Sequence, residues 1–305
     1  MANRFWVGGT GTWDASDTTH WAASSGGAGG QSVPGSSDSV FLDGSSGGGT
    51  VTVNTTVNIV SLEMSNFTGT LDFATNNNNV TLTSNNPAFV SSGSATRTLN
   101  MGNGTWTIRN GGIANQLANV IDMFNNANFT LNCNSSSLVI TSTGAVVGPR
   151  GITGPGVAGS TITFNNITIT EATVSGFPFV WNTGGSSPVT VACANLTLGN
   201  TRQLLWPRGH AVLSVSGALT VSGTALNDMA SLIGGIGSAG NSTTTISVAG
   251  ANTLNYAFLS GILKSGAGSI TANNSVNGGG NSGITINTPS GGAGAGNPIG
   301  LVGAM

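Results

Sequence analysis

One short pattern recurs along most of the chain: an apolar residue, a threonine and a second apolar residue. In an extended backbone this triplet places two bulky side chains on one face of a strand and a hydroxyl on the opposite face. The triplets, two of which have Val or Ser in the middle, are residues 51–53, 80–82, 106–108, 138–140, 167–169, 196–198, 219–221, 246–248 and 284–286. Successive triplets begin 23 to 38 positions apart, and a regular strand every roughly 20 to 40 residues is typical of stacked solenoid coils.

The residue types that build helices are scarce. Charged residues make up 5% of the chain, Glu63 and Glu171 are its only glutamates, and Lys264 is its only lysine. Asn, Ser, Thr, Gly and Val, which favour turns and strands, take their place. The composition therefore predicts an all-β fold, with one short helix at 116–128 as the exception.

The turn-rich links between the triplets are too long for tight hairpins. They favour a right-handed parallel β-helix, or a related β-solenoid, with an N-terminal Trp-rich cap. Two antiparallel β-sandwich domains that divide near residues 148–159 are the alternative. In the solenoid, this Gly/Pro-rich segment is expected to bulge from the stack as a loop.

Three segments of the chain differ in composition. Residues 1–45 hold three of the six tryptophans, Trp6, Trp13 and Trp21, between glycine turns, which predicts a compact cap or attachment segment. Residues 46–248 contain most of the triplets and are expected to form the β-solenoid. Residues 249–305 become richer in Gly and Asn and close on an apolar stretch, which predicts terminal coils followed by a docking tail.

Several classes of partner are disfavoured by charge and hydropathy. The net charge is −2 and no basic run occurs, so nucleic acid is not an expected partner. No stretch approaches eighteen apolar residues and the N-terminus has no apolar signal region, so neither membrane insertion nor a signal peptide is expected. Cys133 and Cys193 lack metal-ligand spacing, and two buried free thiols on neighbouring coils are favoured over a disulfide.

Few residues could carry catalysis. Asp14 and Asp17, close to His20, could serve glycoside hydrolysis as a carboxylate pair, but turns capped by Asp side chains explain them better. Glu171 and Asp228 could lie in a groove, and His210 could lie at a loop tip. No second acid is fixed near them by the sequence, so we expect no enzyme activity, no metal and no cofactor.

The N-terminal string Trp6-Val-Gly-Gly-Thr-Gly-Thr-Trp13-Asp14, followed by Trp21, Pro34, residues 38–41 and residues 50–53, resembles the autotransporter-associated β-strand repeat. It is also similar to the opening of β-helical bacteriophage virion proteins: tail fibres, head fibres and decoration proteins. Residues 274–286 resemble the closing rungs of the same phage proteins. The resemblance implies a structural virion protein involved in host attachment, and it carries over no catalytic residue.

Autotransporters carry a signal peptide and a C-terminal membrane barrel, and neither is expected here. A virion protein made in the host cytoplasm without a signal peptide is therefore favoured. A polysaccharide-degrading tailspike and a bacterial surface adhesin of the autotransporter-passenger type are the alternatives.

The expected partners are copies of the chain itself, other virion proteins, and a host surface glycan or protein. The weakly charged surface and the apolar tail favour a homo-oligomer, and the resemblance to phage fibres favours a homotrimer. We expect residues 1–45 to carry attachment, and residues 273–305 to carry recognition or subunit docking. The candidate recognition residues are Asn274, Asn277 and Asn281.

Overall fold

The computed structural model describes residues 2–84, 87–110, 118–123, 128–142, 150–153, 161–170, 179–182, 190–198, 204–208, 212–234 and 244–289. These residues form thirty β-strands and no helix. Accordingly, no helix that could cross a membrane occurs in the described part of the chain. The all-β prediction is confirmed.

The strands are numbered in chain order. They are β1 (Asn3–Trp6), β2 (Gly11–Trp13), β3 (Trp21–Ala22), β4 (Ser39–Phe41), β5 (Gly49–Val53), β6 (Val57–Ile59), β7 (Ser61–Glu63), β8 (Gly69–Asp72), β9 (Val80–Leu82), β10 (Phe89–Val90), β11 (Arg97–Asn100), β12 (Thr105–Asn110), β13 (Ala118–Asp122), β14 (Phe129–Asn132), β15 (Ser137–Ser142), β16 (Arg150–Thr153), β17 (Thr161–Ile169), β18 (Phe179–Asn182), β19 (Thr190–Leu198), β20 (Leu204–Arg208), β21 (Val212–Val215), β22 (Leu219–Val221), β23 (Ala230–Ile233), β24 (Thr244–Val248), β25 (Asn252–Asn255), β26 (Ala257–Ser260), β27 (Ile262–Ser265), β28 (Ile270–Asn273), β29 (Val276–Asn277) and β30 (Ile284–Asn287).

The strands form four sheets, and from β4 to β15 every third strand belongs to the same sheet. Sheet A has twelve strands in the order β29-β26-β23-β20-β18-β16-β13-β10-β7-β4-β1-β3. Sheet B has the order β14-β11-β8-β5-β2, sheet C has β27-β24-β21-β19-β17-β15-β12-β9-β6 with β22 also beside β19, and sheet D has β25-β28-β30. Each strand therefore pairs with strands of the preceding and following rounds of the chain.

The alternative of two antiparallel sandwiches is wrong. Among the strand pairs of the described residues, only β1 and β3 run antiparallel, while the others run parallel. The expected division near 148–159 is also absent, because β16 pairs with β13 on one side and with β18 on the other. Sheet A therefore continues across the proposed boundary.

Two local predictions are corrected by sheet A. The expected helix at 116–128 contains strand β13, whose Ile121 aligns with Phe89 of β10 and is buried. The segment Val120-Ile121 is β-branched, and pairing with its neighbours outweighs the helix pattern. The expected loop at 148–159 contains strand β16, and the remaining residues of both segments lie largely outside the described ranges.

Six of the nine recurring triplets form one column inside the molecule. Their first residues align on successive strands in the order Val80, Trp106, Leu138, Ile167, Leu196 and Leu219, and all six are buried. The predicted stacking of Ile167, Leu196 and Leu219 is thus confirmed. The triplets that begin at Val51, Ile246 and Ile284 instead align with Leu71, Leu213 and Ile270.

A corner at the end of sheet B changes the outline of the stack. Strand β14 ends at Asn132, and the chain then turns at residues 133–136, where the Ser136 amide donates to the Cys133 carbonyl oxygen at 2.9 Å. Asn134 has a left-handed backbone at this corner, with φ of 47°. The strands of the next two rounds, β17 and β19, have nine residues each and run straight where the earlier rounds turn.

Candidate binding groove

The three N-terminal tryptophans lie inside the molecule. The indoles of Trp6, Trp13 and Trp21 are at most 1% exposed. Trp21 packs edge-on against Trp6, with ring centroids 5.2 Å apart, and against Trp13, at 5.0 Å. The Trp6 indole N–H donates to the Gly9 carbonyl oxygen at 2.8 Å. These rings therefore fill the first rounds of the stack, and any attachment by residues 1–45 would use other side chains.

The N-terminal carboxylates cap turns, as the sequence favoured. Asp14 Oδ1 accepts hydrogen bonds from the backbone amides of Ser16 and Asp17, both at 2.7 Å. Asp17 Oδ1 accepts from the hydroxyl and the backbone amide of Thr19, at 2.6 and 2.8 Å. These bonds hold the pKa of both carboxyls below the ordinary value, whereas a glycosidase acid needs a raised pKa.

The predicted recognition residues have three different placements. Asn274 is exposed, has a left-handed backbone (φ of 49°), and borders a hollow of about 410 Å³ together with Leu226 and Tyr256. Asn277 Oδ1 accepts from the Gly279 amide at 2.9 Å. Asn281 donates through Nδ2 to Asn277 Oδ1 and to a backbone carbonyl of β26, so its amide fastens the last rounds together.

Asp228, another acidic candidate from the sequence, lies in a turn. Its carboxylate accepts a hydrogen bond from the Thr224 hydroxyl at 2.8 Å. Glu171, His210 and the tail at 290–305 lie outside the described residues. The described residues contain no group of three or more His, Cys, Asp or Glu side chains that could hold a metal ion.

A groove of about 790 Å³ lies where the corner of sheet B meets the straight strands of the following rounds. Its floor consists of small outward-facing residues of β19 and β21 and of the turn that follows β21: Ala192, Ala194, Ser214 and Ser216. Asn132 and Asn134 belong to its wall. The groove is concave because the wall carries amide side chains at the corner. The floor has no corner, and its side chains are short.

A ladder of side-chain hydrogen bonds ends in this wall. Asn100 Nδ2 donates to Asp72 Oδ1 at 3.0 Å, and Asn132 Nδ2 donates to Asn100 Oδ1 at 2.8 Å. The three residues occupy one register position on β8, β11 and β14. Each amide donates toward the preceding round, and Asn100 also accepts from the following one. Because sheet B ends at β14, Asn132 Oδ1 accepts no hydrogen bond from the described residues.

The groove lining is uncharged. The described residues that line it carry amides, hydroxyls, thiols and apolar groups, but no carboxylate, ammonium or guanidinium. Thr163 of β17 adds an exposed hydroxyl, in register with Ala192 and Ser214. Such a lining can exchange hydrogen bonds in both directions, but it offers no general acid or base.

The two cysteines lie beneath the groove as free thiols. Cys133 and Cys193 are both buried, and burial raises the pKa of each to about 12. The two cysteines were expected on neighbouring rounds, but one round lies between them. Phe164 of β17, on that round, aligns with Cys193 and separates it from the corner that holds Cys133. A thiol with such a raised pKa is a poor nucleophile at neutral pH.

This groove was not predicted from the sequence. Its signals were an Asn at the end of two successive sheet B strands and a run of Ala and Ser at alternating positions of later strands. Comparisons with protein-family models, with curated proteins and with solved structures give no match. Function is therefore inferred from the chain's own residues and their geometry.

Proposed function

We propose that the chain is a right-handed parallel β-helix and a structural protein of a bacteriophage particle. It would serve as a tail fibre, head fibre or surface-decoration component that takes part in host attachment. Crossovers between parallel strands are right-handed in nearly all proteins, which supports the proposed handedness.

The observation that carries this proposal is the position of the N-terminal motif in the strand stack. Strands β1 and β2, from the Trp/Gly string that resembles phage β-helices, pair in parallel with β4 and β5 of the next round. Trp13 aligns with Val53 there. The residues that carry the resemblance thus begin the stack, which is the place that the resemblance implies for them.

The extent of sheet A suits a rod-like component. Twelve strands about 4.8 Å apart extend over roughly 50 Å. Most rounds add one strand to this sheet and hydrophobic side chains to one continuous core. A stack of this kind is stiff along its axis because each round is held by backbone hydrogen bonds to the next.

The outer face supports self-association. On sheet C, Thr81, Thr107, Thr168, Thr197 and Thr220 point outward on aligned strands, with Val139 between the second and third. Such neutral faces are poorly protected against association, and we propose a homotrimer.

Light scattering on the purified chain should then give about three times the monomer mass of 30.1 kDa. A monomer at micromolar concentration contradicts the oligomer, and a dimer contradicts the three-fold symmetry alone.

Particle association tests the main proposal. Phage particles would be purified by density gradient from a lysed culture that carries the gene, and the protein would be located by mass spectrometry and antibody labelling. We expect it in the particle band at a fixed ratio to the capsid protein. Recovery from the envelope of intact, unlysed cells would instead support the surface-adhesin alternative.

Incubation with host polysaccharide tests the tailspike alternative. The turn-capping role of Asp14 and Asp17, together with the uncharged groove lining, supports a non-enzymatic role. We expect no oligosaccharide to be released. Release that is abolished by substitution of a single carboxylate would overturn that expectation.

A further inference from the structure

We propose that the groove between the sheet B corner and strands β17, β19 and β21 binds an uncharged glycan chain. The wall at Asn132 would accept a hydrogen bond from a sugar hydroxyl, and the Ala floor would receive an apolar ring face. The inference rests on the proposed role in host attachment and narrows the partner to one chemical class and one site.

The open end of the hydrogen-bond ladder is the first support. Asp72, Asn100 and Asn132 form a chain in which every amide donates in the same direction, toward the Asp72 carboxylate. Chains of aligned hydrogen bonds polarise one another, so the terminal carbonyl oxygen of Asn132 is a strengthened acceptor. It faces the groove without a partner among the described residues, and a ligand O–H or N–H continues the ladder.

The floor is the second support. Ala192 and Ala194 offer methyl groups, while the Ser214 hydroxyl and the exposed Thr163 hydroxyl lie beside them. Binding sites for small polar ligands combine such apolar patches with a few placed hydrogen-bonding groups. A sugar ring presents C–H groups on one face and hydroxyls at its edge, and each hydroxyl both donates and accepts. This chemistry matches amides and hydroxyls around a methyl floor.

Backbone pairing and charge argue against other ligands. Strands β19 and β21 of the floor are paired on both sides, so their backbone has no free edge to which a peptide strand could add. The uncharged lining gives no counter-ion for an acidic polysaccharide or a phosphate. The groove borders β14, β17, β19 and β21, about 14 Å at the usual strand spacing, which accommodates part of a chain rather than one ring.

A glycan array that carries uncharged and acidic bacterial oligosaccharides tests the proposal with the full chain. We expect binding to uncharged members, and the affinity of the best one would then be measured by titration calorimetry. Ala192→Phe fills the floor, and Asn132→Leu removes the terminal acceptor. Each should weaken binding by about tenfold or more, the effect of one lost hydrogen bond or an obstructed contact.

The matched control lies on sheet D, outside both the groove and the threonine column of sheet C. Thr253→Phe adds a ring to the exposed face of β25, away from the groove, and should leave the affinity unchanged. If Ala192→Phe fails to fold by circular dichroism, Asn132→Leu on the exposed wall decides alone. Binding of acidic members only, no glycan binding at all, or undiminished binding by the groove variants overturns the proposal.

The outcome is separable from that of the particle experiment. Glycan binding by a protein that is absent from phage particles overturns the virion role and leaves the groove proposal standing. If the protein is present in phage particles but its groove variants bind glycan normally, the groove proposal is overturned and the virion role stands.

Discussion

The imidazole ring of His20 lies flat against the indole ring of Trp6, with ring centroids 4.5 Å apart and planes 5° apart. His20 Nδ1 also lies 2.8 Å from the Val7 carbonyl oxygen. These contacts hold residues 7–20 over the end of the stack. Strand β2 passes next to the imidazole ring at Gly11, and this arrangement requires that position to have no side chain.

Gly11→Ala should destabilise the fold through this contact. A Cβ at Gly11 would lie 2.5 Å from His20 Nε2 and 2.9 Å from Trp6 Cζ2, so the rings must shift. Overpacking of this kind costs about 1–3 kcal/mol, measurable by urea unfolding. Gly250→Ala is the control, because nothing lies within 4 Å of its added Cβ. Adding His20→Ala to Gly11→Ala should cost less than the two single effects combined, and strict additivity would contradict the clash.

The register of sheet C can be tested by cross-linking. Thr168 and Thr197 are aligned on adjacent parallel strands, whereas Thr220 aligns with Thr197 one strand further on. Neighbouring strands about 4.8 Å apart are within the range for a disulfide, and second neighbours at about 9.6 Å are not. Under mild oxidation Thr168→Cys/Thr197→Cys should cross-link and Thr168→Cys/Thr220→Cys should not. Peptide mapping distinguishes these products, and equal cross-linking of both pairs would contradict the register.

Much of the strand arrangement could be predicted from the sequence because it depends on local alternation. The triplets that begin at Val80, Ile167 and Leu196 place branched side chains on one face and a hydroxyl on the other, and burial of that face fixes their stacking. Val51 and Ile284 have the same pattern but lie in sheets B and D, and Ile246 lies in sheet C at another register position. A triplet contains no information on which sheet or register position its round has reached.

The groove and the roles of the asparagines could not be predicted in this way. The groove depends on a corner after Asn132 that later rounds lack, so it is a difference between rounds rather than a repeated pattern. Asn277 and Asn281 looked like adaptable recognition groups in a Gly-rich segment. The Asn277 side-chain oxygen instead accepts local hydrogen bonds from the Gly279 amide and from Asn281. The Asn281 amide bonds to the backbone of Leu259 and Ile262, which depends on the stacking of distant residues.

The stability of the fold should fall in acid partly through Asp72. Burial acts to raise the pKa of this carboxyl, but hydrogen bonds from the Thr75 hydroxyl, the Asn100 amide and the Ala74 amide outweigh it and lower the pKa. Because the folded-state pKa is depressed, this stabilisation is present above the unfolded pKa of about 3.9 and is lost as the pH falls through the folded value.

Asn100→Ala tests this assignment. It removes one of the donors to Asp72, so the pKa of Asp72, followed by NMR of its carboxyl carbon, should rise toward the ordinary value. The difference in unfolding midpoint between Asp72→Asn and the unaltered chain should be larger at pH 7 than at pH 2.5. An equal difference at both pH values would exclude a contribution from ionised Asp72.

The thiols of Cys133 and Cys193 should be unreactive until the chain unfolds. Burial raises the pKa of both to about 12, against about 8.5 for an exposed thiol. At pH 8 the thiolate fraction is lower by roughly three orders of magnitude in the fold, and a disulfide reagent should label both residues only in denaturant. Between pH 8.5 and 12 stability should fall as the pH rises, because only the unfolded thiols ionise. Rapid labelling of the folded chain would contradict this burial.

Asn281→Ala should loosen the last rounds of the stack rather than remove a recognition group. Its Nδ2 donates to the Leu259 carbonyl oxygen and to Asn277 Oδ1, both at 2.8 Å, and its Oδ1 accepts from the Ile262 amide at 3.0 Å. Loss of these bonds leaves partly buried backbone groups unpaired and should cost about 1–3 kcal/mol locally. Hydrogen exchange at the Ile262 amide should accelerate correspondingly, while exchange at Leu196, far from this round, should not change. Asn274→Gly is the matched control, because its exposed side chain has no such bonds among the described residues and glycine adopts the left-handed backbone there (φ of 49°) without strain. If Asn281→Ala leaves exchange at Ile262 unaltered but abolishes binding to host cells, the recognition role first assigned to Asn281 is correct and the structural role is wrong.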